Sequence, residues 1–130
     1  MKLGRWFQDS EFLCRCGRIE CEAPKTPAPA LVALLDRLRE AVSAPLIITS
    51  GLRCSMWNAH LGGEPLSGHL TGTEADLSCP SSRFRYRLLV AACALGVRRL
   101  GLYPKHVHVG LDTTALPLDV VWLGAVKEGL

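Results

Sequence analysis

SGHLTGTEADL, residues 67–77, holds the segment on which the fold turns. Gly68 and Gly72 loosen a loop around His69, and the chain then tightens into EADLS, residues 74–78. Polar and apolar residues alternate there, the mark of a strand with one buried face. Glu74 and Asp76 share one face, and Ala75 and Leu77 the other. HVHVG, residues 106–110, repeats the pattern. His106 and His108 project together while Val107 and Val109 face the core. If the two strands lie side by side in one sheet, Asp76 and His108 converge. The glycines then let the loop swing His69 over them.

The elements on either side have clear signals. Thr26 can cap a helix with Pro27 in its first turn. Leu31, Leu34, Leu35, Leu38 and Val42 follow at helical spacing, and Pro45 closes it. LIITS, residues 46–50, reads as a buried strand. The stretch GLRCSMWNAHLGGEPLSG is mostly loop, with one helical turn near Met56 to His60. Ser82 can cap a second helix over residues 83–95 that Gly96 ends. RRLGLY and HVHVGLD read as strands joined by a tight Pro-Lys turn. The order predicts an α+β fold with a small, mainly antiparallel sheet packed with helices.

With 130 residues, 48% of them hydrophobic, the chain suffices for one core, so one domain is expected over residues 1–130. Residues 1–25 would form a cysteine-bearing segment packed on it. No run of eighteen apolar residues predicts a membrane span. The start, MKLGRWFQDSEF, has no apolar region of the signal-peptide kind. The protein is therefore expected to be cytoplasmic until released, and to have no membrane partner. The net charge of +3, from 15 basic and 12 acidic residues, fits a polyanionic surface such as a cell wall. No block of Lys and Arg stands out, and no nucleic-acid partner is expected. Arg83, Arg85 and Arg87 alternate along a helix and do not share a face. A monomer is expected.

Imidazole and carboxylate are zinc ligands, and a catalytic zinc has three protein ligands with one position left for water. His69, Asp76 and His108 make such a set. The run SGLRC…NAHLGGEPLSGHLTGTEADL, followed by HVHVG, resembles the zinc D-alanyl-D-alanine carboxypeptidases. These are peptidoglycan-cleaving metallopeptidases with the pattern S-x-H-x-x-G-x-A-x-D and a later histidine segment. The likeness runs from about Thr49 to Asp112. EFLCRCG and the helix before LIITSG are similar to the short bacterial and phage members.

The resemblance implies a hedgehog/D-Ala-D-Ala peptidase-like fold, with Zn2+ bound by His69, Asp76 and His108. It implies that Arg53 binds a substrate carboxylate or carbonyl, a task that suits the guanidinium fork. Ser67 would brace the ligand loop, and His106 would face the metal and assist catalysis. Two departures matter. Glu74 stands where the pattern has alanine, and either points at the site or sits at the strand edge towards solvent. Lys105 precedes His106 where several relatives have a carboxylate. The general base therefore stays open between His106, the first choice, and Glu74. Trp57 either lines a groove for the substrate or belongs to the core, and His60 is a loop or groove residue.

The function implied is a zinc peptidase acting on peptidoglycan stem peptides, of D-Ala-D-Ala carboxypeptidase or endopeptidase type, as in a phage or prophage endolysin. The alternative is a zinc-containing module that binds wall peptides without cutting them. A weaker third idea is a zinc-ribbon-like interaction protein built on the cysteines. Of the six cysteines, Cys93 lies in the apolar run LLVAACALGV and is expected in the core. Cys14, Cys16 and Cys21 form C-R-C-G-x3-C, and Cys54 could join them as a fourth thiolate around a structural zinc. Free thiols, or disulfides formed after release, are the other options.

Overall fold

The computed structural model describes residues 1–113 and 115–124. Strands β1 (Lys2–Leu3) and β2 (Phe7–Gln8) form a small hairpin, followed by a 3-10 turn over Asp9–Phe12. Helix α1 (Pro29–Val42), strand β3 (Ile48–Ser50) and the short helix α2 (Ser55–His60) follow. After a 3-10 turn at Gly68–Leu70 come β4 (Glu74–Ser78), α3 (Ser82–Ala94), β5 (Arg99–Leu102), β6 (His106–Gly110) and β7 (Val120–Leu123). The main sheet has the order β3-β4-β6-β5-β7. All its pairs are antiparallel except β5 with β7. The fold is α+β with a mainly antiparallel sheet, as the alternating patterns predict.

One face of the sheet carries the core. Ala75 and Leu77 of β4, with Val107 and Val109 of β6, join Leu31, Leu35 and Leu38 of α1 and Leu88 and Ala92 of α3 in one apolar cluster. Period-two strands put their other residues on the opposite face, and that face bears the polar site. Phe7 and Phe12 bring the N-terminal segment into the same cluster. Phe12 also accepts a backbone bond from Leu52 at 2.8 Å. Asp36 of α1 receives the Arg5 and Trp6 amides at 2.8 and 3.2 Å and fastens the hairpin to the helix.

Several boundaries shift. Helix α1 begins two residues later than Thr26 and Pro27 predict. Ala28, held to the Gly72 carbonyl at 2.9 Å, is its N-cap, and Pro29 is the first helical residue. It ends because Ser43 adopts φ 53, before Pro45 is reached. Ser81 rather than Ser82 caps α3, its hydroxyl accepting from Phe84 at 3.1 Å. LIITS is an edge strand and not a fully buried one. Leu46 and Ile48 are buried, but Ile47 is 62% exposed. Cys93 is exposed, contrary to expectation, because the inward stripe of α3 runs through Leu88, Ala91 and Ala92. No helix among the described residues is long and apolar enough to cross a membrane.

Candidate metal centre

The centre is built by strand pairing. Asp76 and His108 are direct cross-strand partners, as are Ser78 and His106, and Glu74 and Gly110. His69 comes from the 3-10 turn above them, and Ser67 caps that turn by accepting the His69 amide at 3.2 Å. Gly72, at φ +76, supplies the left-handed step that returns the chain from this turn to β4.

Three donor atoms converge. His69 Nε2 lies 3.3 Å from His108 Nδ1 and 3.3 Å from Asp76 Oδ1, and His108 Nδ1 lies 2.8 Å from Asp76 Oδ1. Nitrogen and oxygen ligands about 2.0–2.1 Å from a tetrahedral zinc sit about 3.3 Å apart. The two separations from His69 Nε2 match that edge and the Asp76–His108 one is shorter, a hydrogen-bond distance, and these residues can hold a metal ion. The outer nitrogens are fixed as well. His69 Nδ1 meets the Gly51 carbonyl at 2.6 Å, which leaves Nε2 as its lone pair. His108 Nε2 is bonded to Glu74 Oε2, which turns Nδ1 towards the other donors.

Glu74 is therefore neither a solvent-facing edge residue nor free. It is 2% exposed. One oxygen accepts the Gly68 amide at 2.8 Å, the other meets His108, and Arg99 Nε lies 3.5 Å away. A Cβ on Gly68 or Gly110 would run into this carboxylate, so both glycines are demanded by the space that Glu74 occupies. Burial pushes the Asp76 carboxyl up, but bonds to His108 and His69 outweigh it and hold it well below the usual carboxylate range. Burial pushes His108 down, yet Asp76 and Glu74 together raise it to about 9. A divalent cation at Nδ1 would supply the same positive charge between the two carboxylates, so metal and proton compete for His108.

Arg53 sits beside the triad. Its guanidinium donates to Asp76 Oδ2 at 3.1 Å, Ser50 Oγ at 2.9 Å and Asn58 Oδ1 at 3.1 Å. Three of its five N–H donors are used, which leaves two for a ligand. Asn58, buried and also bonded to the Glu64 carbonyl, is a residue that the sequence reading passed over. His106 is half-buried, with Nε2 3.7 Å from Asp76 Oδ2 and its ring stacked on Tyr103 at 4.3 Å. Burial lowers its pKa. Arg53, His69, Asp76, His106 and His108 all open into one cleft of about 1140 Å³, which Leu116, Trp122 and Leu123 also line, with the Trp122 ring 5.2 Å from that of His108.

Trp57 and His60 do not line that cleft. They lie three residues apart on α2 and stack on each other at 5.1 Å, while Asn58 takes the position facing Arg53. Cys14, Cys16, Cys21 and Cys54 form a second cluster, away from the triad. Burial pushes the Cys14 thiol up to about 12.

No curated protein matches the chain. A family model does, under the description Peptidase M15, over residues 5–112. That span takes in most of the N-terminal segment, the Arg53 loop, both strands of the centre and all three donors. The donor geometry and the match agree, and the chain belongs to the peptidase M15 family of metallopeptidases.

Proposed function

We propose that the chain is a zinc peptidase that hydrolyses peptide bonds in peptidoglycan stem peptides, acting as a D-Ala-D-Ala carboxypeptidase or endopeptidase in the manner of a phage or prophage endolysin. The observation that carries this reading is the convergence of His69 Nε2, Asp76 Oδ1 and His108 Nδ1 in a cleft of peptide size. The phage assignment rests on the likeness of EFLCRCG and the helix before LIITSG to the short bacterial and phage members of the family.

His69, Asp76 and His108 would hold the metal. Zinc bound there supplies Lewis acidity towards a carbonyl and towards water. Arg53 offers its two remaining N–H groups to a carbonyl or a terminal carboxylate of the peptide. His106, on the cleft wall and in neutral form, can take a proton at Nε2 and return it to the leaving amine. Tyr103, stacked on its ring, holds the plane of the imidazole. Glu74 is a positioning residue, since both its oxygens are already engaged. The apolar wall at Leu116, Trp122 and Leu123 suits the methyl groups of alanine-rich peptides.

The same engagement of Glu74 favours one second reading, a module that grips the wall peptide without turnover. Zinc-loaded protein is incubated with isolated peptidoglycan and with a stem peptide ending in D-Ala-D-Ala, and products are read by mass spectrometry. Loss of a terminal alanine marks the carboxypeptidase, and loss of a cross-link the endopeptidase. Binding with no product would overturn the enzyme reading in favour of the module.

A further inference from the structure

The four cysteines named above converge on one point. Cys14, Cys16 and Cys21 come from the loop after the first 3-10 turn, and Cys54 from the residue after Arg53. Each offers a sulfur, and the four sulfurs lie within 4.8 Å of one another. Sulfurs about 2.3 Å from a tetrahedral zinc stand about 3.8 Å apart, inside that envelope. Two disulfides would need the sulfurs sorted into bonded pairs, whereas here all four are free and within 4.8 Å of one another.

Backbone N–H groups are aimed at three of the four sulfurs, and at Cys14 they oppose the burial that pushes its thiol up. Cys14 Sγ accepts the Cys54 amide at 3.3 Å, Cys54 Sγ accepts the Trp57 amide at 3.4 Å, and Cys16 Sγ accepts the Arg18 amide at 3.4 Å. N–H groups aimed at ligand atoms orient them and stabilise their charge. Gly17, at φ +76 and with open space where a Cβ would stand, makes the turn that brings the Arg18 amide back to Cys16. Four thiolates gathered this closely suit zinc or iron among the common metals, and a four-cysteine set is a common structural zinc site.

We propose that Cys14, Cys16, Cys21 and Cys54 form a structural zinc site, separate from the histidine–aspartate centre, that clamps the N-terminal segment to the Arg53 loop. The clamp lies one residue from Arg53. Through Phe12, whose backbone packs against Gly51, it also buttresses the carbonyl that orients His69.

The test is metal content by elemental mass spectrometry on full-length protein purified with reductant. About two zinc ions per chain are expected, falling to about one in Cys21→Ser and to about one in His69→Ala. A second measurement does not depend on the cysteine variant folding. Wild-type protein loaded with cobalt(II) should show the intense near-ultraviolet thiolate-to-cobalt absorption, and His69→Ala should keep it. Absence of that band in the wild type, iron in place of zinc, or cysteines that resist alkylation until reduced would each overturn the site. Failure of the peptidase reading would leave this result unchanged, because the cysteine cluster shares no ligand with the centre in the cleft.

Discussion

Replacing Glu74 with glutamine separates two roles that a carboxylate near a metal centre can play. Glu74 presents acceptors in two directions, to the Gly68 amide at 2.8 Å and to His108 Nε2. Glutamine has one acceptor and one donor end. If its oxygen serves the Gly68 amide, its NH2 faces His108 and demands a lone pair at Nε2. His108 must then carry its proton on Nδ1, the atom that faces His69 and Asp76. Loss of a partner that orients a ligating histidine costs about 10–100-fold in metal affinity, or about 1.4 to 2.7 kcal/mol. Arg99 also loses its buried counter-charge 3.5 Å away, which costs the metal-free fold on the order of 1–3 kcal/mol. Zinc affinity is measured by competition with a chromogenic chelator, for the ion that His69→Ala abolishes, beside thermal unfolding without metal. A Glu74→Gln protein that bound zinc as tightly as the wild type while losing hydrolysis would refute the positioning role and make Glu74 the general base.

Three further outcomes follow from the same geometry. His69→Ala and His108→Ala should each lose zinc from the cleft and hydrolysis with it, and full activity in either would exclude that residue as a ligand. Arg53→Lys should keep its zinc but lower kcat/KM by about tenfold or more, because a point charge cannot replace the fork that spans Asp76, Asn58 and substrate. Unchanged kcat/KM would remove Arg53 from substrate binding. Leu35→Ala, at a fully buried position in the core of α1, should cost about 2–5 kcal/mol in denaturant unfolding. A cost below about 1 kcal/mol would show that the helix does not pack on the sheet as described.

The meeting of Asp76 with His108 was legible in the sequence, because the two-residue period assigns both to the polar face of adjacent strands. His69 was legible from its glycine-flanked loop and Arg53 from the motif around it. The role of Glu74 was not, since its burial depends on Arg99 and His108, which reach it from β5 and β6. Its traces in the sequence were two glycines that make room for it, Gly68 nearby and Gly110 on the neighbouring strand. Whether Trp57 lines the groove was not legible, because an aromatic residue near Arg53 gives no sign of which way its helical turn faces. Strand β7 escaped notice because VVWL is short and pairs in parallel with β5, a long-range contact without a local pattern. The N-terminal hairpin is shorter still, at two residues per strand.

Two of the three donors are opposite residues in adjacent strands at the middle of the sheet, and this has a consequence for how such a protein can diversify. Their separation is set by backbone hydrogen bonds and by register, which a core of Ala75, Leu77, Val107 and Val109 enforces. The cleft walls come from elsewhere, from residues around 61–66 and 115–117 and from β7. Insertions and substitutions in those walls can change which peptide is accepted while the donor spacing stays fixed. The chemistry is thus inherited with the sheet, and the choice of substrate can vary with the loops.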